Sequence, residues 1–316
     1  DDLAACAAPP DTIEAVWERY VFHLGVSVDL MKEGFDWHMT HQARNFPEIV
    51  LNLFCHGPIE RGLDVSEGGV DIVNIAVDAF GLATVADSFA AMEQWVFNEK
   101  RLTLAELVEM LKTNFEGEER ARLMLKNSPR YGAGGSRGDY WAGRIARTYS
   151  GLVKARPTPK GFNVIPGLFS HGDVVNFGHK IGATPNGRRA GEMVAHSTNP
   201  DPGFVKYGSS APTAKANAVA FTQPGWGNSA PLQLDVDSRL MQENGGVEAV
   251  EALILAHNAM GGTLINLNVV SKEQILEAHA DPSKYPDLVV RVTGYSAYFH
   301  SLSPEYRQQI VDRFLQ

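Results

Sequence analysis

Near the end of the chain the apolar run Leu288-Val289-Val290 leads into Arg291-Val292-Thr293-Gly294-Tyr295-Ser296-Ala297-Tyr298-Phe299. Two chemistries compete for Gly294. One is conformational: glycine enters the positive-φ region without a Cβ clash, and Gly followed by Tyr-Ser would relieve a tight turn. The other is radical storage. With no Cβ, a glycyl Cα can flatten, and an unpaired electron there delocalises into the flanking amide nitrogen and carbonyl, which are held planar by their own resonance. Any side chain would crowd that plane.

Further stretches bear on the choice. Gly182-Ala183-Thr184-Pro185-Asn186-Gly187-Arg188-Arg189-Ala190-Gly191-Glu192 contains a turn, because proline presets φ and Asn-Gly tolerates left-handed geometry. Phe80-Gly81-Leu82-Ala83-Thr84-Val85-Ala86-Asp87-Ser88, Pro166-Gly167-Leu168-Phe169 and Asn268-Val269-Val270 accompany it. In their order along the chain the stretches resemble the glycyl radical enzymes, the family of pyruvate formate-lyase, glycerol dehydratase and choline lyase. The resemblance runs from about residue 47 to the C-terminus.

The resemblance implies an α/β fold, the second half of a ten-stranded glycyl radical enzyme barrel with surrounding helices. Residues 1–190 would be the C-terminal part of the pyruvate formate-lyase-like barrel domain, and residues 191–316 the glycyl radical domain. In the family such a glycine stores the radical and passes it to a cysteine thiol, and the thiyl removes hydrogen from a small substrate. On this match Gly294 is the radical site, and Arg291, Val292, Thr293, Tyr295 and Ser296 shape its loop. The glycyl radical at Gly294 would be a post-translational product of a radical S-adenosylmethionine activase, with no permanently bound cofactor.

The thiyl residue of the family sits in a Gly-Cys-x-Glu-like loop or as paired cysteines, and neither pattern occurs here. Cys6 lies among alanines without an acidic neighbour, and Cys55, before His56-Gly57, reads as a buried structural thiol. A split enzyme, a fragment and a rescue subunit all fit this pattern, and the chain opening on Asp1 fits a fragment or a processed product. The reading adopted is a split enzyme, in which a larger cysteine-bearing subunit supplies the thiyl and this chain is inactive without it. The expected reaction is that of an anaerobic lyase or dehydratase cleaving a C–O or C–N bond. A C–C-cleaving formate-lyase or decarboxylase, or a non-catalytic radical-storage or repair subunit, is the alternative.

Composition narrows the rest. The chain has 316 residues, 44% hydrophobic, with 28 Lys plus Arg against 37 Asp plus Glu and a net charge of −9, which argues against a nucleic-acid surface. Lys100-Arg101 and Arg188-Arg189 read as isolated pairs, each solvated or in one ion pair. Two cysteines make no disulfide framework, and no apolar run is long enough to span a bilayer, so a cytoplasmic location is the default. His38 and His41 share a helical face without an evident third ligand, so no metal site is expected. His171, His179, His196, His257 and His300 read as loop or core residues.

The elements that must position the loop follow from periodicity. Helices are expected over residues 12–32, 85–97, 104–115, 140–154, 248–260 and 272–280, with Thr103 and Glu106 as a capping box. Strands are expected over residues 263–270 and 288–292, and residues 163–230 read as short strands and long loops. The polar alternation Gln233-Leu234-Asp235-Val236-Asp237 reads as a half-exposed strand after a turn at Asn228.

Overall fold

Thr12 accepts the Ala15 amide at 3.1 Å and starts the long helix α1 (Ile13–Asn45), whose face carrying Trp17 and Val28 turns inward. The computed structural model describes residues 9–155, 157–201, 211–223, 225 and 228–314, so Cys6 lies outside the described residues. Two short helices follow, α2 (Ile49–Phe54) and α3 (Pro58–Arg61), then strand β1 (Asn74–Asp78) and helix α4 (Leu82–Met92). Every residue of α4 but Val85 is buried, the polar Thr84, Asp87 and Ser88 among them, as in a helix covered on all sides. It runs on through a π-helical turn, Glu93–Asn98.

Helix α5 (Leu104–Lys112) opens on the expected box: Thr103 Oγ1 accepts the Glu106 amide, and Glu106 accepts the Thr103 amide at 2.7 Å. Then come α6 (Glu119–Lys126) and α7 (Arg137–Lys154). Helix α7 packs along α4, and Trp141, Phe89 and Trp17 join the three helices with ring centroids 4.8 to 5.6 Å apart. Strand β2 (Asn163–Gly167) pairs parallel with β1.

Residues 163–230 hold more helix than their composition suggests. Both α8 (Val174–His179) and α9 (Ala211–Phe221) fall within them. Beyond lie β3 (Leu232–Asp237), α10 (Gly246–Ala259), β4 (Ile265–Val270), α11 (Lys272–Ala280), β5 (Val289–Arg291), β6 (Ser296–Tyr298) and α12 (Pro304–Phe314). Strands β3 and β4 are parallel, and β5 and β6 form an antiparallel hairpin.

The parallel pairs are sheared rather than separate. Asn228 donates to the Pro166 carbonyl at 2.8 Å and Leu168 to the Ser229 carbonyl at 3.2 Å, which carries the hydrogen bonding from β2 to the segment entering β3. Glycine at 167 leaves room for the Asp78 carboxylate at this junction, since a Cβ there would stand 1.9 Å from Asp78 Oδ1 and displace it. Asp78 in turn accepts both bonds of the Asn228 amide, at 3.0 and 3.2 Å.

Strand β3 is buried on both faces, not half-exposed as its alternation suggests. Leu232, Leu234 and Val236 pack on α9 and α10 through Ala216, Val219 and Val250. Gln233 and Asp235 point the other way, where Ser170 meets Gln233 and Arg313 of α12 meets Asp235. The fold is α/β, with helices outside short parallel strands and the β5–β6 hairpin, which carries Gly294, beside β4.

Candidate functional site

The hairpin that presents Gly294 is built from three anchors. Val292 is fully buried with Val290, Phe299, Ile275 and Ile310 in a small core shared by α11 and α12. Its amide donates to the Tyr295 carbonyl at 3.0 Å, closing the turn around Thr293 and Gly294, and Thr293 is buried. Arg291 reaches Ser296 Oγ within the hairpin and Asn266 Oδ1 on β4, both at 3.4 Å.

Gly294 itself is exposed, and its φ is not in the left-handed region. The conformational reason for a glycine is therefore missing. An added Cβ would meet Phe169 Cζ at 3.7 Å, an ordinary contact. Tyr295 is half-exposed and lies against Gly172, and Tyr306 of α12 donates its hydroxyl to the Gly172 carbonyl.

The separate sequence motifs meet here. Phe169 and Gly172 follow Pro166-Gly167-Leu168, and next to them Phe80, His171 and Phe177 cluster, with Phe80 stacked on Phe177 at 4.6 Å. Gly81 donates to the Ala195 carbonyl, Ala195 donates to Thr84, and Ser197 donates to the Leu168 carbonyl. Residues 194–199 thus tie the start of α4 to the end of β2.

Of the pair Arg188-Arg189, the structure corrects the first and leaves the second in the expected surface ion pair. Arg188 is buried and donates to five carbonyls, those of Gly178, Ile181, Gly182, Glu192 and Met193. Arg189 bonds the Asn114 carbonyl and Glu119 at the surface. Asp87, in the Phe80–Ser88 stretch, accepts Arg130 Nε at 2.9 Å and the Tyr131 amide at 2.7 Å, and burial pushes its carboxyl up to about 6.

Beside the stem of the hairpin lies a cavity of about 660 Å³ lined by His196, Lys215, Gln233, Gln309 and Arg313 among others. Burial holds Lys215 down at about 8 and His196 at about 3, with the Arg313 guanidinium adding to both shifts. His196 Nε2 and Gln309 Oε1 are buried without a partner among the described residues.

The remaining candidates lie elsewhere. Cys55 is half-buried at the C-cap of α2, not a buried core thiol, and α2 packs on α3. His41 stacks edge-on against Trp37, and no group of three metal-ligating side chains occurs among the described residues. His257 is buried with Nδ1 2.8 Å from the Ala216 carbonyl. Among the described residues no helix is long and apolar enough to cross a membrane.

Comparison with known proteins agrees with this arrangement. The "Pyruvate formate lyase-like" family model matches residues 5–178 and the "Glycine radical" model residues 196–300. The chain is 29% identical to trans-4-hydroxy-L-proline dehydratase of Clostridioides difficile, over 95% of this chain and 38% of that protein. It is 33% identical to isethionate sulfite-lyase of Nitratidesulfovibrio vulgaris, over 99% of this chain and 38% of that protein. The glycerol-bound B12-independent glycerol dehydratase of Clostridium butyricum superposes with a TM-score of 0.86 at 28% identity, covering 96% of this chain and 38% of that one. The chain thus spans 38% of the length of these relatives. It belongs to the pyruvate formate lyase-like glycyl radical enzymes and carries their glycine radical domain in its C-terminal part.

Proposed function

We propose that Gly294 stores a Cα radical installed by a radical S-adenosylmethionine activase. In this reading the chain is the radical-bearing part of a lyase or dehydratase that cleaves a C–O or C–N bond of a small substrate. Residues 1–190 serve as barrel and residues 191–316 as radical domain. The observation that carries the proposal is that Gly294 lacks a side chain at a position whose φ would accept one. Its role is then chemical, and the exposed Cα is open to an activase.

When present, the radical supplies hydrogen-atom abstraction through a cysteine thiyl. The residues around Gly294 do the holding. Arg291 and Ser296 brace the hairpin to β4, Val292 and Thr293 bury its stem, and Tyr295 packs on the segment after β2. Cys55 sits at the end of α2, outside this cluster, and Cys6 lies among alanines without an acidic neighbour, so the thiol is assigned to a separate cysteine-bearing polypeptide. An apolar stripe over α1 to α3 offers it a surface: Trp37, Phe46, Ile49, Val50, Phe54 and Ile59 are each 67–82% exposed. The dehydratase and sulfite-lyase relatives, matched over at least 95% of this chain, favour bond-eliminating chemistry.

Electron paramagnetic resonance after anaerobic activation tests this reading. A doublet should appear, collapse when the protein carries deuterated glycine, and be absent in Gly294→Ala. Turnover should require the added cysteine-bearing polypeptide. A signal that persists in Gly294→Ala, or turnover by this chain alone that is lost in Cys55→Ser, would overturn it.

A further inference from the structure

We infer that Arg313, near the end of α12, is a positioning residue for the Gly294 loop, tying the peptide planes that lead into it to the side of β3 opposite α9 and α10. The inference rests on the radical reading of Gly294 for its purpose and on geometry for its substance. Arg313 Nη2 donates to the Arg291 carbonyl at 2.6 Å and Nη1 to the Val292 carbonyl at 3.0 Å. The second of these carbonyls belongs to the peptide ending at Thr293, one residue before Gly294. Arg313 Nε lies 3.3 Å from Asp235 Oδ2, and the two side chains are 8% and 3% exposed. The other oxygen of Asp235 accepts Asn268 Nδ2 from β4 at 2.9 Å. One carboxylate of β3, itself held by β4, and two successive loop carbonyls therefore meet a single guanidinium of α12.

Stability alone does not explain the arrangement. A buried ion pair costs desolvation and is commonly matched or bettered by apolar side chains of similar volume. Helix α12 already has such side chains, since Ile310, Val311 and Phe314 bury themselves against α11 and the stem of the hairpin. What the guanidinium adds is direction. Its planar fork holds donors at fixed angles, so two neighbouring carbonyls are oriented together, which a lysine ammonium cannot do.

The position of the clasp suits a Cα radical. Planarity at Gly294 requires the flanking peptides to lie in register with it. Arg313 fixes the Val292–Thr293 peptide, one step before the pair that flanks Gly294, so it sets the direction in which those two peptides enter the turn while Gly294 stays exposed. Tyr306, two turns earlier on α12, grips the opposite wall at Gly172, on which Tyr295 rests. The helix spans the loop from both sides.

The test has two arms on the full chain. Before activation, hydrogen exchange is followed in peptides covering residues 291–296 for wild type, Arg313→Lys, Arg313→Met and Asp235→Asn. Exchange there should quicken about ten-fold in Arg313→Met and in Asp235→Asn, with α10 peptides unchanged. Arg313→Lys should not restore wild-type protection. After activation, the radical per chain should fall about ten-fold in Arg313→Met, while Gln308→Ala on the same helix behaves as wild type. Unchanged exchange and radical yield in Arg313→Met, full function in Arg313→Lys, or exchange raised throughout the chain would each overturn the inference. A wild-type protein that forms no radical would defeat the proposed function instead, and the exchange arm would still decide whether Arg313 positions the loop.

Discussion

Phe169 Cζ stands 3.7 Å from the point that a Cβ on Gly294 would occupy, and the φ of Gly294 is one that any residue can adopt. Conformational and chemical reasons for this glycine can therefore be separated. Gly294→Ala should fold with stability within about 1 kcal/mol of wild type, on the stabilised side if anything, because alanine restricts the unfolded chain. The same variant should form no radical. Urea denaturation checks the first half and electron paramagnetic resonance the second. A loss above about 2 kcal/mol would mean that the backbone needs glycine here after all.

Oxygen should cut the activated chain beside Gly294, since it adds to a Cα radical and the peroxyl then breaks the backbone. The fragment beyond the cut should nevertheless stay bound. Phe299, Ile310, Val311 and Phe314 are buried with Ile275, Ala278, Val290 and Val292, and each keeps about 1.5–3 kcal/mol of burial once the peptide is broken. Denaturing mass spectrometry should show two pieces where native mass spectrometry shows one particle. Prompt release of the tail under native conditions would mean that this small core does not hold without the chain connection.

Much of this site is legible in the sequence where partners lie close along the chain. The Thr103–Glu106 box needs only a spacing of three, and Val289 and Val290 read as strand because β-branched residues fit a pleated sheet. Helix α9 is harder to see. Its buried positions are Ala214, Lys215, Ala216, Ala218, Val219 and Ala220, spread over more than one face and including a lysine, so no single apolar stripe marks it. Strand β3 alternates as a half-exposed strand would, and partners distant along the chain cover its polar side: Ser170 at Gln233, and Asn268 of β4 with Arg313 of α12 at Asp235. Arg188 is illegible for a related reason: its partners are backbone carbonyls, which leave no trace in residue types.

His196 should make the fold sensitive to acid. Buried, and facing Arg313 and Lys215, it has a folded pKa of about 3 against an ordinary value of 6.5. Between those values the unfolded chain binds a proton that the folded chain refuses, so stability falls as pH drops below 6.5. The slope is about 1.4 kcal/mol per pH unit for one such proton. Above pH 6.5 neither state is protonated there and the penalty vanishes. Denaturation midpoints measured from pH 7 to 4 should show this fall, and His196→Gln should flatten it by about one proton. Identical slopes in the two proteins would mean that other groups take up that proton.

Adjacent arginines should differ sharply in what they contribute. Arg188 is buried and has every nitrogen of its guanidinium committed to backbone carbonyls, so Arg188→Met removes a donor from five acceptors at once and Arg188→Lys leaves at most three donors for them. The lysine variant should lose at least about 2 kcal/mol and the methionine variant more, with the loop of residues 181–193 and the end of α8 loosening first. Arg189, a surface residue paired with a half-exposed Glu119, should cost below about 1 kcal/mol when changed to alanine. Denaturant unfolding of the three variants gives the ranking directly. Equal losses at the two positions would mean that the carbonyl nest is hydrated in solution and that Arg188 is no more than a second surface charge.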